Sequence, residues 1–197
     1  MKHLLITGFD PFGGEAVNPA WEAVRALPDT VGDFRLTKLE IPTVFGAAAK
    51  TVLETAAKTK PDVILCIGQA GGRDAITPER IAVNLMDASI SDNRGFSPKE
   101  QPCIPGGPDA IFATVPARAM AEAANLAGIP ARVSLSAGSF VCNDTLYRLL
   151  HALRITRTKV GFVHVPFLPQ QAKGQYPAME LIDMARGLEA MICALTK

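Results

Sequence analysis

Two side chains in the sequence have the chemistry of a nucleophile and of a proton carrier. Cys142 follows a Gly/Ser turn and stands just before a predicted helix that opens near 143–145. The unpaired N–H groups and the positive dipole at a helix start favour an anion, so we expect the pKa of this thiol to be lowered. His164 ends an apolar run and precedes a proline-fixed loop, which favours an imidazole that acts first as base and then as acid. The pair predicts nucleophilic catalysis by a thiolate.

A third group should orient the imidazole in such an arrangement. The candidates are four carboxylates: Glu79, Asp87, Asp92 and Asp144. Spacing alone does not choose among them. Glu79 also has a simple structural interpretation, as a local ion-pair partner of Arg80.

The other cysteines and histidines have ordinary structural explanations. Cys66 lies in an apolar run and Cys193 on the last predicted helix, where a buried, inert thiol is the common outcome, while Cys103 lies in a loop. His3 begins a strand and His151 lies within a helix pattern. The four cysteines are far apart, without CxxC or Cys/His spacing, so the sequence predicts reduced thiols and no metal site.

Two glycine-rich turns, at 13–14 and 71–72, also follow predicted strands. Neither matches GxGxxG or GxxxxGK[ST], so they are interpreted as tight turns and no nucleotide cofactor is predicted. Phe9 and Phe12 lie three residues apart near the first turn. They are either core residues or, at a crevice, a clamp for a small flat ring.

The candidate residues follow strands of a predicted α/β sheet. Apolar runs predict strands at 3–7, 63–68, 132–135 and 161–165, and helical patterns predict helices at 19–27, 44–59, 116–126, 145–153 and 177–195. Strands that are apolar on both faces and alternate with helices favour a three-layer αβα sandwich with a mainly parallel twisted sheet. Ligands bind beyond the carboxyl ends of such strands, so Cys142 and His164 are expected to share a crevice.

Length and charge fit a single domain, 1–197. The net charge is +1, with 20 basic and 19 acidic residues spread along the chain, which disfavours nucleic acid or an anionic membrane as a partner. No apolar run approaches the ~20 residues that span a bilayer, and the first run ends without a signal-peptide cleavage site, so we predict a cytoplasmic protein. The irregular stretch 89–108 is interpreted either as a lid or contact arm or as a surface excursion.

Six ordered segments between 5 and 171 resemble the pyroglutamyl peptidase I family, whose members are also called pyrrolidone carboxyl peptidases. The segments are TGFDPFGGE followed by NP at 7–19, GQAGGR at 68–73, TPERIAVN at 77–84, GGP at 106–108, FVCN at 140–143 and GFVHVP at 161–166. The resemblance implies that Cys142 is the nucleophile, His164 the acid and base, and Glu79 the third member. It also implies six substrate contacts around the ring: Phe9, Phe12, Asn18, Gln69, Phe140 and Val141.

The activity implied by this resemblance is removal of an N-terminal pyroglutamyl residue from peptides. The Cys142 thiolate would attack the carbonyl that follows pyroglutamate, His164 would protonate the leaving amine, and water would release the acyl group. No cofactor or metal is implied, and a neutral lactam suits an apolar slot with a few amide contacts. The family also implies a homo-oligomer, either a dimer or a tetramer, for which the long loop and the last helix are candidate surfaces.

Two positions depart from the family pattern. Ser89 stands where members commonly have an arginine near the developing oxyanion, and one lost donor costs about a hundredfold in rate, with Arg94 as a candidate substitute. Asp144 stands where a histidine often follows Cys-Asn, and its charge would oppose ionisation of the thiol. Ser89 leaves open a catalytically silent binding protein that keeps the pocket. The layered architecture and the glycine-rich turns leave open an α/β phosphorylase or nucleotide-binding protein.

Overall fold

The computed structural model describes residues 1–196, in which a twisted sheet lies between two layers of helices. The strands are β1 Lys2–Phe9, β2 Thr30–Val31, β3 Phe34–Ile41, β4 Val63–Gln69, β5 Thr77–Pro78, β6 Ile81–Val83, β7 Ala110–Phe112 and β8 Lys159–Val165. The helices are α1 Pro19–Ala26, α2 Ala47–Thr59, α3 Ala117–Leu126, α4 Val141–Leu153, α5 Pro169–Ala172 and α6 Leu181–Cys193, followed by a 3₁₀ turn at Ala194–Thr196. None of the helices within 1–196 is long and apolar enough to cross a membrane.

The six-stranded sheet has the order β2-β3-β1-β4-β8-β5. Strands β3, β1, β4 and β8 are parallel, and the short edge strands β2 and β5 are antiparallel to their neighbours. The chain passes from β1 to β3 on one side and then returns to β4 on the other, so a crevice opens at the carboxyl ends of β1 and β4. The predicted α/β class with a mainly parallel sheet is confirmed.

Alternate side chains of the central strands enter two separate cores. Leu4 and Ile6 of β1 pack in the cluster that includes α1, α3 and α6, whereas Leu5 and Ile64 pack in the cluster that includes α2 and α4. Each fully buried side chain of this size stabilises the fold by about 1.5–3 kcal/mol. Because helices cover both faces, the predicted three-layer arrangement is also confirmed.

The predicted strand at 132–135 is wrong. This segment runs beside residues 76–80 and forms isolated bridges, Ile76 with Ala131 and Glu79 with Ser134. Pro78 lies between the two bridges and has no N–H with which to continue a ladder. The segment therefore borders the sheet edge without becoming a regular strand, and it leads into the loop before α4.

Strand β3 is missing from the elements predicted from apolar runs. Its buried residues Phe34, Leu36 and Ile41 alternate with the exposed Arg35 and Glu40. Since β3 lies next to the short edge strand, its faces are only partly covered, and an alternating pattern replaces the continuous apolar run. The predicted helices are all present; α1 starts at the predicted residue, and the starts of the other four are displaced by one to four residues.

Candidate active site

A cavity of ≈ 290 Å³ opens at the carboxyl ends of β1, β4 and β8. Its lining is mostly apolar and includes the thiol of Cys142 and the ring of His164, as expected for a shared crevice. The full lining consists of Phe9, Phe12, Asn18, Thr43, Gln69, Ala70, Gly71, Arg73, Ala137, Gly138, Phe140, Cys142 and His164. Within the described chain, no group of three His, Cys, Asp or Glu side chains is arranged to hold a metal ion.

Cys142 is the second residue of α4, which begins four residues earlier than predicted. The N-cap position is occupied by the apolar Phe140, and the first-turn N–H groups have no acceptor within the helix, so they remain donors for an oxygen in the cavity. The buried amide of Asn143 fixes this turn, because it accepts from the N–H of Val83 at 3.0 Å and donates to the carbonyl oxygens of Val83 and Leu85.

Gly68 of β4 lets the thiol lie against the sheet. A Cβ atom at Gly68 would stand 3.0 Å from Sγ of Cys142 and 2.7 Å from Cζ of Phe162, too close for either neighbour. The parallel register pairs Gly68 with His164 of β8. The thiol, which lies against Gly68, and the imidazole of its pairing partner His164 are therefore close to each other on one face of the sheet.

Glu79 connects His164 to a cation. Its Oε1 accepts from Nδ1 of His164 at 2.7 Å and from Nη1 of Arg73 at 2.7 Å. Arg73 also donates to Oγ1 of Thr77 and, at 2.9 Å, to the carbonyl oxygen of Ser136. Because a carboxylate only accepts, Nδ1 of His164 carries the proton, and Nε2 is left to accept one.

The ion pair of Glu79 with Arg80 that the sequence suggested is wrong. Arg80 donates to the carbonyl oxygen of Ala113 at 3.1 Å, and its guanidinium lies 4.5 Å from the ring centroid of Phe112. Arg73 is the cationic partner instead. The sequence pattern gave Arg73 no individual role. The feature that could have predicted this ion pair is the position of Arg73 at the end of a glycine turn, six residues before Glu79.

Two of the other candidate carboxylates lie elsewhere. The carboxylate of Asp87 is 3.8 Å from Nζ of Lys99 at the surface. The buried Asp92 accepts from the N–H groups of Phe45 and Phe96, at 3.1 and 2.9 Å, and so ties the long loop 89–108 to the chain before α2. Glu79 is thus the candidate that contacts the imidazole.

Asp144 is also held by other groups. It is fully buried, its Oδ1 accepts from Nε of Arg148 at 2.6 Å, and its Oδ2 accepts from the N–H of Gly46 at 2.8 Å. The carboxylate that disfavours ionisation of Cys142 is Glu79. The expected opposition from Asp144 is therefore wrong, and Asp144 instead joins α4 to the start of α2.

Burial sets the resting protonation of the site. It raises the pKa of the Cys142 thiol to about 12, with a further contribution from the charge of Glu79 that the Arg73 cation does not outweigh. Burial also lowers the pKa of His164, despite the hydrogen bond to Glu79. Both shifts run against the expectation of an acidified thiol, because they favour a neutral thiol and a neutral imidazole in the resting protein.

Glu79 stays ionised in this setting. Burial disfavours its charge, but the hydrogen bond from His164 and the positive charge of Arg73 outweigh burial, so the pKa of Glu79 lies below its ordinary value. The positive charge of Arg73 and the negative charge of Glu79 compensate each other. The cavity is accordingly close to neutral.

We expect the protein to lose stability as the pH falls below about 6.5. The unfolded chain binds a proton at His164 near the ordinary pKa of 6.5, whereas the native ring resists it, so the unfolded state holds more protons and acid favours unfolding. Glu79 acts in the same direction below its ordinary value of 4.5. Urea unfolding at pH 8, 7, 6 and 5.5 measures the first effect, and His164→Gln should flatten that pH dependence. An unchanged slope in the variant would contradict the assignment to His164.

Five of the six predicted substrate contacts line the cavity: Phe9, Phe12, Asn18, Gln69 and Phe140. The ring centroids of Phe12 and Phe140 are 6.0 Å apart. Val141 departs from the expectation, because its side chain is fully buried in the core shared with α2 and β8. Asn18 is engaged at both ends of its amide: its Oδ1 accepts from the N–H of Ala20, and its Nδ2 donates to the carbonyl oxygen of Asp10.

The position of Ser89 is at the surface, and Arg94, the candidate substitute for the family arginine, is exposed as well. Of the residues that the structure describes, Arg73 is the arginine that lines the cavity. Its guanidinium is committed to Glu79 and Ser136, so it serves the orienting carboxylate.

Comparisons with known proteins agree along the whole chain. The sequence profile of the pyroglutamyl peptidase family matches residues 2–197. The pyrrolidone-carboxylate peptidase of Levilactobacillus brevis is 50% identical over 196 residues, covering 98% of this chain and 96% of that protein, and the one from Thermococcus onnurineus is 45% identical over 192 residues, covering 96% of each. The crystal structure of Bacillus amyloliquefaciens pyroglutamyl peptidase I superimposes with a TM-score of 0.95 at 40% identity, covering 99% of this chain and 97% of that one.

Proposed function

The chain belongs to the pyroglutamyl peptidase family, and we propose that Cys142, His164 and Glu79 carry out its reaction as nucleophile, acid and base, and orienting carboxylate. The chain is a cysteine peptidase that hydrolyses the bond after an N-terminal pyroglutamyl residue of a peptide, through a thioacyl-enzyme intermediate. The observation that carries the assignment of roles is the 2.7 Å hydrogen bond from His164 to Glu79, beside a thiol that lines the same cavity.

The first half-reaction starts from the neutral pair. Nε2 of His164 takes the thiol proton as Sγ of Cys142 attacks the carbonyl carbon that follows the lactam ring. Glu79 stabilises the imidazolium that forms, because its carboxylate already accepts from Nδ1. The tetrahedral intermediate collapses when the imidazolium protonates the departing amine. The products are a peptide with a free N-terminus and a thioester on Cys142.

The second half-reaction restores the resting state. His164, neutral again, takes a proton from water while the water oxygen attacks the thioester carbonyl. Collapse of the second tetrahedral intermediate releases pyroglutamic acid and returns the proton to the sulfur. Proton movement at one imidazole thus serves both steps, and the thiol is ionised only during the reaction.

The oxyanion is assigned to the start of α4. The first-turn N–H groups of Val141 and Cys142 and the positive helix end are donors whose strength grows in a water-poor cavity. This assignment gives Val141 a backbone role although its side chain is in the core. These donors are fixed by the fold, and they support activity in a chain that has Ser89 in place of the family arginine.

The lactam ring is assigned to the apolar part of the cavity. Phe9, Phe12 and Phe140 form its aromatic walls, and the amides of Gln69 and Asn18 are its polar groups. A cavity of ≈ 290 Å³ suits a five-membered ring together with the scissile bond, and its compensated charge suits a neutral ligand.

We also propose a cytoplasmic protein in which the chain acts as one domain, 1–197, and self-associates as a dimer or tetramer. Two cores that share one sheet support the single domain. Free thiols on all four cysteines support a reducing compartment. Exposed apolar side chains on the loop 89–108 and on α6, such as Phe96 and Ile182, support self-association.

Hydrolysis of a pyroglutamyl-coumarin amide, before and after exhaustive alkylation with iodoacetamide, tests the proposed function. We expect release of the coumarin amine by the untreated protein and its loss once Cys142 is alkylated. Mass mapping identifies the modified thiol, which is necessary because Cys193 is exposed. A protein that binds nucleotide or phosphate would be indifferent to alkylation, and a silent binding protein would release no coumarin amine; either result contradicts the proposal.

A further inference from the structure

The amide of Gln69 is held at one end by Gln171, a residue outside the cavity lining. Gln171 lies on the short helix α5 and is 8% exposed. Its Nε2 stands 3.2 Å from Oε1 of Gln69, which is the last residue of β4 and lines the cavity. Its Oε1 accepts from the N–H of Leu168 at 3.1 Å. Gln171 therefore links a fixed backbone donor to a cavity amide.

Donor and acceptor chemistry fixes the orientation of both amides. The N–H of Leu168 only donates, so the end of Gln171 that meets it is the oxygen. The NH₂ end of Gln171 then faces three acceptors: Oε1 of Gln69, the carbonyl oxygen of Val17 at 3.4 Å and Oε2 of Glu15 at 3.4 Å. Because that NH₂ group only donates, the atom of Gln69 that faces it must be the oxygen. The NH₂ group of Gln69 is then the end left for the cavity.

We propose that Gln171 is a positioning residue that turns the NH₂ group of Gln69 toward the lactam, and thereby sets the preference for a ring that carries a carbonyl group. This inference rests on the proposed function. The lactam C=O is an acceptor for the NH₂ group of the half-buried Gln69, whereas a hydrocarbon ring of the same size leaves that donor unsatisfied once it displaces water from the cavity. A site built around such a donor discriminates strongly against the analogue that lacks the acceptor.

The variant Gln171→Glu tests the proposal with almost no change in shape. It replaces the NH₂ group by an oxygen that faces Gln69, Val17 and Glu15, all of them acceptors. Gln69 relieves this by a half-turn of its amide, which places its oxygen opposite the lactam oxygen. We expect kcat/KM on the pyroglutamyl-coumarin amide to fall about 100-fold, mainly through KM. Gln170→Glu is the matched control, because Gln170 is exposed, and it should stay within about twofold.

The binding of two small ring compounds distinguishes a misoriented Gln69 amide from a general disruption of the cavity. For Gln171→Glu, the inhibition constant of 2-pyrrolidinone should rise about 100-fold, while that of cyclopentanecarboxamide, whose ring has no carbonyl group, should stay within about twofold. Gln171→Met removes the hydrogen bonds without adding charge, and it serves if the glutamate variant does not fold. We expect an intermediate loss of about tenfold for 2-pyrrolidinone, since the Gln69 amide is then free to take either orientation.

Two outcomes would overturn the inference. One is an equal loss for both rings, which would mean that Gln171 only supports the cavity wall. The other is a pair of Gln171 variants that bind 2-pyrrolidinone like the wild type. Failure of the proposed function is distinguishable, because in that case the wild-type protein itself would not hydrolyse the pyroglutamyl substrate.

Discussion

Replacing Cys142 with serine is expected to reduce hydrolysis of a pyroglutamyl-coumarin amide by about 10⁴-fold or more. The neutral imidazole of His164 must remove the proton of the nucleophile during attack, and a hydroxyl group releases it much less readily than a thiol, even one whose pKa burial has raised to about 12. The oxyanion donors and the aromatic walls remain in place, so substrate binding should persist. Initial rates and an inhibition constant for 2-pyrrolidinone measure the two properties separately.

The fold of this variant should be unchanged, since oxygen is smaller than sulfur and the α4 turn is fixed by Asn143. A thermal midpoint within about 3 °C of the wild type is the criterion. Cys193→Ser is the matched control, because that thiol is exposed on α6, and it should keep full activity. Turnover by Cys142→Ser at the wild-type rate would refute the mechanism.

Local patterns in the sequence predicted the layers of the fold because the central strands are buried on both faces. The runs around Leu4 and Ile64 are apolar without interruption, and the structure places them in two cores. Strand β3 was not predicted, because its partly covered faces carry charged residues such as Arg35, which interrupt the apolar run. The segment 132–135 has the composition of a strand, but Pro78 on the neighbouring segment removes the donor that a ladder needs.

For the site, the sequence predicted which residues meet but not which groups surround them. The clustering of Cys142 and His164 follows from topology, since both lie beyond the carboxyl ends of parallel strands. The pKa of the Cys142 thiol depends on burial and on the charge of Glu79, and both come from residues that are distant in sequence. The same holds for Asp144, whose charge is compensated by Gly46 and Arg148 rather than directed at the thiol. Partners of this kind have no signature in residue spacing.

Replacing Glu79 with glutamine is expected to lower kcat about 10³-fold while leaving KM within about threefold. The Oε1 atom can still accept from Arg73 and His164, so the ring keeps its place, but the negative charge that stabilises the imidazolium is gone. The resulting amide also places an NH₂ group where the buried Oε2 has no hydrogen-bond partner among residues 1–196. An unsatisfied donor there should lower the stability of the fold by about 1–3 kcal/mol.

The pH profile of Glu79→Gln distinguishes the loss of the Glu79 charge from a loss of order at the His164 ring. Glu79 raises the pKa of His164 against the lowering effect of burial, so its removal should move the acid limb of kcat/KM to lower pH, because the imidazole then stays neutral in more acidic solution. Glu22→Gln is the matched control, since it removes a half-buried carboxylate of α1 that pairs with Arg25 and does not line the cavity, and it should change neither kcat nor the acid limb. A Glu79→Gln protein whose rate falls while its acid limb stays in place would mean that Glu79 holds the ring without acting on its charge. A rate equal to that of the wild type would remove Glu79 from the mechanism and leave the imidazole to act unaided.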